Sequence, residues 1–192
     1  MATDHKGRQG GFTLVEILVT LALTGIVTAG LVNFMVSQSR SYNVQENVQE
    51  MEQNARVAMD YLVGGLQRTQ SLTLKHIFTD HPRQGDGVLL QDGVVYRFNQ
   101  GTDLYSSKED KAGRISVSGT GAGNGFIASF ITQDLTGDGI PDTPMFQVDN
   151  PVNPHVVTVT IIARTRRADP RYKNNNGYRQ IVLTRRVVLR NM

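Results

Sequence analysis

Cysteine and tryptophan are both absent from this 192-residue chain, which contains only four histidines. Without cysteine, disulfides, thiolate metal sites, cysteine nucleophiles and acylated lipoprotein signals are all excluded. The sequence also lacks a serine nucleophile elbow and a glycine-rich phosphate loop ending in lysine. Hydrophobic residues make up 39% and charged residues 19%, which suits a packed core. We therefore expect a folded protein that is not an enzyme, with one domain or one domain plus an appendage.

Positive charge is concentrated at the C-terminal end. Residues 164–192 contain nine Lys or Arg against one acid, a net charge of +8, so the total of +3 leaves −5 for residues 1–163. Such asymmetry can mark a face that binds DNA or an acidic partner. The alternative is that these side chains lie on the solvated sides of two edge strands. Because no nucleic-acid motif accompanies the charge, the sequence leaves DNA binding unsupported.

The longest apolar run lies near the N-terminus. It follows a polar leader, residues 1–11, that contains Lys6 and Arg8, and it extends from Phe12 to Val36. At a rise of roughly 1.5 Å per residue, a helix of about 25 residues exceeds a ~30 Å hydrocarbon core. Basic residues before the run predict that the leader stays cytoplasmic and that the C-terminal domain lies outside.

Glu16 is the one charged residue within this run. An unpaired carboxylate about one turn inside an apolar segment costs several kcal/mol unless it reaches the interface or a partner. Cleavage before Phe12 would create an α-amino group four residues away. A neighbouring chain, shifted along the helix axis, could place its amine on this carboxylate, which makes Glu16 a candidate for subunit assembly.

The apolar run is compatible with two other targeting signals. A secretory signal peptide could be cut at Val27-Thr28-Ala29, but that site interrupts an apolar run that continues to Val36. An uncleaved anchor would explain the apolar run. Neither hypothesis explains the acid inside the run.

The segment Gly10-Gly11-Phe12-Thr13-Leu14-Val15-Glu16 resembles the type IV prepilin signature. The resemblance implies cleavage between Gly11 and Phe12 by a prepilin peptidase, methylation of the new N-terminus at Phe12, and pairing of Glu16 with a neighbour's N-terminus. Glycine suits a scissile position because it lacks a Cβ. The resemblance also implies an inner-membrane location with a periplasmic domain, followed by incorporation into a filament with major and minor pilins.

Helical periodicity continues beyond the apolar run. Apolar residues recur every three or four positions, which predicts one amphipathic stripe: Val44, Val48, Met51, Ala55, Met59, Leu62 and Leu66. We therefore expect a single helix from about Thr13 to Gln70, with a kink or an end at Gly64-Gly65.

Beyond residue 70 the pattern changes to strands and turns. Val88–Leu90 and Val94–Phe98 flank Asp92-Gly93, which predicts a hairpin. Other predicted strands are Arg114–Ser118, Gly125–Thr132, Val156–Ala163 and Gln180–Leu189. The fold class is therefore α+β, with a long N-terminal helix packed on an antiparallel sheet. The expected division is leader 1–11, membrane or filament-core helix 12–36, amphipathic helix 37–70 and β-rich domain 71–192.

Two further segments narrow the resemblance. Asn54–Leu62 and Val187–Asn191 are similar to PilW-type minor pilins and to the related PulJ-like, J-type pseudopilins of type II secretion. The first resemblance implies a minor pilin that acts at the start of pilus assembly or at the tip. The alternatives are a J-type pseudopilin and, from another class, a ligand- or DNA-binding module at a filament tip.

An acidic, glycine-containing segment at residues 134–142 resembles a calcium loop, with oxygen donors at alternating positions. Counted from Asp134, the twelfth position, where an EF-hand has its bidentate glutamate, is Met145, and the third position is threonine. The alternative is a turn that binds no ion. Calcium is thus one possible cofactor, and the candidate ligands are Asp134, Thr136, Asp138, Ile140 and Asp142.

Overall fold

The computed structural model describes residues 11–78, 81–119 and 123–189. The chain divides into two compact units, Met1–Asn43 and Val44–Met192. Its described elements are α1 (Leu14–Arg68), β1 (Leu72–Phe78), β2 (His81–Leu90), β3 (Val95–Asn99), β4 (Arg114–Ser118), β5 (Gly125–Ser129), β6 (Phe146–Val148), β7 (Val156–Arg164), a 3-10 turn (Asn175–Gly177) and β8 (Gln180–Val188).

In the first unit, α1 is apolar on all sides from Leu14 to Val36, apart from Glu16 and a few uncharged polar residues. Its large apolar side chains are exposed, including Ile17, Leu23 and Phe34. By length and composition this part of the helix could cross a membrane, and none of its most apolar window is buried. Gly25 and Gly30 do not interrupt the helix. Such an exposed apolar surface suits contact with lipid or with other apolar helices.

In the second unit, the same helix buries a single stripe against the sheet. The predicted stripe is confirmed from Met51 to Leu66, and Ala58 and Val63 widen it. Val48 is partly buried against the same core. The helix ends at Arg68, close to the expected Gln70. It does not end at Gly64-Gly65, so the expectation of an end there was wrong, and the kink stays a prediction.

The strands form one antiparallel sheet of eight strands, in the order β5-β4-β3-β2-β6-β7-β8, with β1 paired to β2. One edge of β2 pairs with β1 along its length, and the other edge pairs with β3 at one end and with β6 further along. Gly87 faces Lys75 of β1 and Arg97 of β3, whereas Gly85 faces Phe146 of β6. The predicted α+β class, a long helix on an antiparallel sheet, is confirmed.

Most of the predicted strands are present. The hairpin around Asp92-Gly93 joins β2 to β3, and its turn is fixed by the Val94 N–H, which donates to Asp92 Oδ1 at 3.1 Å. β5 stops at Ser129, earlier than expected, because Phe130 adopts a positive φ of 61°. β1 and β6 were not predicted from the sequence. β7 is a central strand between β6 and β8, and β8 lies at an edge of the sheet.

Two adjacent glycines of α1 offer a matched test of this packing. A Cβ on Gly65 would lie 2.2 Å from the hydroxyl oxygen of the buried Tyr96, whereas a Cβ on Gly64 would meet nothing within 4 Å. We expect Gly65→Ala to lower the free energy of unfolding by about 1–2 kcal/mol through overpacking. Gly64→Ala should raise it by up to about 1 kcal/mol, because alanine favours helix. Urea unfolding of the full chain in detergent measures both, and equal effects would contradict this packing.

Candidate functional site

The N-terminal segment starts with non-helical backbone at Gly11, Phe12 and Thr13, and α1 begins at Leu14. The N–H of Glu16 donates to Thr13 Oγ1 at 3.2 Å, so Thr13 is the N-cap residue. The predicted cleavage bond, between Gly11 and Phe12, therefore precedes the helix rather than lying within it. Gly10, the other residue of the predicted cleavage site, lies outside the described residues.

The cap places Glu16 at the third helical position. There a carboxylate gains about 0.3–1 kcal/mol from the positive end of the helix dipole. Among the described residues no basic group forms an ion pair with Glu16. Phe12, predicted to become the methylated N-terminus, is 80% exposed. The chain itself thus leaves both partners of the predicted intersubunit contact accessible.

The threonine hydroxyls of the apolar segment are satisfied inside the helix. The hydroxyl of Thr20 donates to the Glu16 carbonyl at 2.9 Å, and those of Thr24 and Thr28 donate to carbonyls one turn earlier at 2.7 Å. Because such bonds remove the cost of burying a hydroxyl in an apolar environment, these threonines need no external partner. Glu16 differs, since its carboxylate still requires a donor.

The comparisons with known proteins agree with this geometry. The family model described as the prokaryotic N-terminal methylation motif matches residues 6–32. No curated protein and no solved structure matches the chain. The motif is a type IV pilin or pseudopilin signal, and it implies processing by prepilin peptidase and association with other pilins. The chain therefore carries the signal of a structural subunit, and its apolar helix fits an envelope protein anchored in a membrane.

The acidic loop, residues 134–142, is organised around a buried carboxylate. Asp134 Oδ1 accepts the N–H of Gly137 at 2.6 Å, and Oδ2 accepts the N–H of Gly139 at 2.7 Å. The hydroxyl of Tyr105 also donates to Oδ2, at 2.7 Å. Burial, together with this bond to Asp134, raises the pKa of Tyr105. Each oxygen of Asp134 is thus already used by donors of the chain itself.

The other two candidate aspartates follow the same pattern. Asp142 Oδ1 accepts the N–H of Leu135 at 2.9 Å, and Oδ2 accepts the N–H of Thr136 at 3.2 Å. Burial alone would raise the pKa of Asp142, but these donors hold that pKa below its ordinary value. Asp138 Oδ1 accepts the N–H of Ile140 at 2.8 Å.

This arrangement fits the ion-free turn better than a calcium cage. A calcium ion needs several oxygen lone pairs that converge on one point, whereas here N–H and O–H groups point at the carboxylates. No cluster of three or more His, Cys, Asp or Glu suited to a metal occurs in the described part of the chain. Calcium binding stays a prediction, and it would require Asp134 and Asp142 to exchange hydrogen bonds for metal contacts.

Gln133, which the sequence does not mark as a site residue, closes the base of the acidic loop. Its backbone carbonyl accepts the N–H groups of Asp142 and Thr143, both at 2.9 Å. Its fully buried side chain accepts the N–H of Ile162 at 2.7 Å and donates to the Thr160 carbonyl at 2.9 Å. The side-chain amide therefore continues the hydrogen bonding of β7 where β6 has ended.

Arg164 is the second residue that sequence reasoning misplaced. It was counted in the basic C-terminal face, yet it is 1% exposed. Its guanidinium donates to the carbonyls of Leu104, Ser106 and Thr165 and lies 4.5 Å from the ring centroid of Tyr178. Burial lowers the pKa of Arg164. The exposed basic residues of the described C-terminal region are Arg166, Arg167, Arg171, Lys173, Arg179, Arg185 and Arg186.

Substitution of two aspartates, combined with added calcium, distinguishes an ion-free turn from a calcium site. We expect Asp134→Ala to cost about 3 kcal/mol in unfolding free energy, because it leaves buried donors unpaired. Asp138→Ala should cost less than about 1 kcal/mol, because it removes one exposed acceptor. If the loop is an ion-free turn, about 1 mM Ca²⁺, enough to load extracellular calcium modules, leaves the unfolding midpoint of the unaltered chain unchanged relative to Mg²⁺. A calcium-specific rise that Asp138→Ala abolishes would instead establish calcium binding.

Proposed function

We propose that the chain is a minor pilin of a type IV pilus, released by prepilin peptidase and used at the start of filament assembly or at the tip. One observation carries the proposal: the methylation motif at residues 6–32 includes the start of a helix whose first part, to Val36, is exposed and apolar with one acid near its start. Apolar surface of this extent is stable only in lipid or against other apolar helices. A filament core provides the second environment after the membrane provides the first.

The proposed mechanism is assembly rather than turnover. Cleavage before Phe12 leaves a positive amine next to a capped helix start, and Glu16 lies about one turn further on. Pairing of Glu16 with the amine of a neighbour neutralises two charges that would each be costly in an apolar bundle. The pairing also fixes the axial offset between the two helices, since it is available at one position only.

The finer assignment to a PilW-type minor pilin rests on the resemblance of Asn54–Leu62 and Val187–Asn191. Within the first segment, Ala55, Ala58, Met59 and Leu62 are buried against the sheet, which explains the small and apolar residues there. A J-type pseudopilin of type II secretion would share each step of processing and assembly. The genes that neighbour this one, or the filament from which the chain is recovered, would separate the two.

The first prediction from this proposal concerns processing. We expect the mature chain to begin at an N-methylated Phe12, because the peptidase cuts after Gly11 and methylates the new terminus. Mass spectrometry of the chain purified from envelopes of cells that contain the peptidase measures this directly. Gly11→Leu should retain the leader, since a bulky side chain obstructs the scissile position, while Gly25→Leu serves as the matched control. An intact leader, or a terminus beyond Ala29, would reject the proposal.

The second prediction concerns assembly. Glu16→Gln should reduce the fraction of chain recovered in sheared filaments by about tenfold or more, because losing one partner of a buried ion pair costs about 3–5 kcal/mol. Glu46→Gln removes the same charge from an exposed position of the same helix and should leave incorporation unchanged. Immunoblots of filament and membrane fractions provide the measurement. Undiminished incorporation of Glu16→Gln would remove the proposed mechanism.

A further inference from the structure

β8 ends the sheet with an open edge. It pairs with β7 over its whole length, from Val156↔Val188 to Arg164↔Gln180. Within the described part of the chain, no strand pairs with its other side. A nine-residue edge of this kind is a template for another strand unless it is blunted or covered.

The hydrogen-bond register shows which groups of β8 face the open edge. Leu189 donates to the carbonyl of His155 and Thr165 donates to the carbonyl of Arg179, so the odd-numbered residues of β8 bond to β7. In an antiparallel pair, the alternate residues direct their N–H and C=O groups away from the paired strand. In β8 these are the even-numbered residues. The backbone groups of Val182, Thr184 and Arg186 are therefore directed to the open edge.

A groove lies beside this edge. A groove of about 370 Å³ separates α1 from β8, and its walls are Arg56, Met59 and Asp60 on the helix and Leu183, Thr184 and Arg185 on the strand. A strand added to β8 would place alternate side chains into this groove. The Asp60–Arg185 ion pair, at 3.0 Å, has side chains 72% and 54% exposed. An exposed pair of this kind contributes little and can exchange with an incoming carboxylate.

The outer face of β8 indicates the chemistry of the partner. The side chains of Val182 and Val188 are 47% and 67% exposed, and they flank Thr184 and the exposed Arg186. No acid occurs from Gln180 to Leu189. Two copies of β8 paired with each other would bring four arginines together, which disfavours a self-pair. A complementary strand carries apolar residues opposite the valines and an acid near Arg186.

We propose that the open edge of β8 binds an extended, acidic segment of another polypeptide by strand addition. The backbone bonds at Val182, Thr184 and Arg186 provide the affinity, and the arginines select the acidic segment. The proposal does not depend on the pilin assignment, because it rests on the register and side chains of the sheet alone.

The test measures amide hydrogen exchange in the full chain, in detergent, with three defined probes. Two are terminally blocked nine-residue peptides in which valine alternates with glutamate or with lysine, and the third is a DNA duplex. The glutamate peptide should slow exchange at Val182, Thr184 and Arg186 by about tenfold or more, since these amides become hydrogen-bonded. Leu183 and Arg185 should change little, because they already bond to β7.

Two variants make the result specific. Thr184→Pro removes an outward N–H and should abolish the protection, whereas Thr184→Val keeps that N–H and should retain it. If Thr184→Pro unfolds, Arg186→Glu provides the second test, and it should shift the preference towards the lysine peptide. Unfolding midpoints verify that each variant is folded.

Other outcomes overturn the proposal. Absence of protection, or equal protection by the two peptides, would show that β8 does not select an acidic strand. Protection that is present without peptide and lost on dilution would assign the edge to a second copy of the chain. Protection of the same amides by DNA alone, weakened by salt, would assign the surface to nucleic acid.

Discussion

A single helix has an uncovered apolar part and a part that packs on the sheet, and the rest of the molecule follows from that constraint. Up to Val36 its apolar side chains surround the axis and remain uncovered, whereas from Val48 to Leu66 most of them form a stripe that the sheet buries. A fully apolar surface excludes water from all sides, so any charge on it must be neutralised by another molecule. Glu16 is therefore tolerable only if assembly, or the membrane interface, provides a partner.

The features that could be predicted from the sequence are those that depend on the periodicity of nearby residues. The helical stripe and the hairpin at Asp92-Gly93 depend on neighbours within a few positions, and both are present. β6 is only three residues long, and β1 follows the helix directly, so neither presents a separate pattern. Arg164 and Gln133 were missed for a different reason. Their residue types indicate exposure, and their burial depends on carbonyls and N–H groups from distant parts of the chain.

The two candidate sites differ in how much a motif can reveal. The processing signal is linear, because a peptidase reads consecutive residues ahead of a helix, and the family model recovers it from sequence alone. The acidic loop is different, because the same alternation of aspartate and glycine serves both a cation site and a hydrogen-bonded turn. The positive φ values of Gly137 and Gly139, 80° and 90°, help direct their N–H groups at Asp134. Residue identity alone does not encode that direction.

The closure at Gln133 has an evolutionary consequence. Its carbonyl holds both Asp142 and Thr143, and its amide is anchored on β7, so none of these contacts involves the side chains of residues 135–141. The attachment of the loop to β7 is therefore independent of which side chains that segment carries. A segment of different length would, however, have to supply new donors for the buried Asp134, which relies on the N–H groups of Gly137 and Gly139. Exposed side chains of the loop, such as Leu135 and Ile140, can accordingly vary more freely than its length.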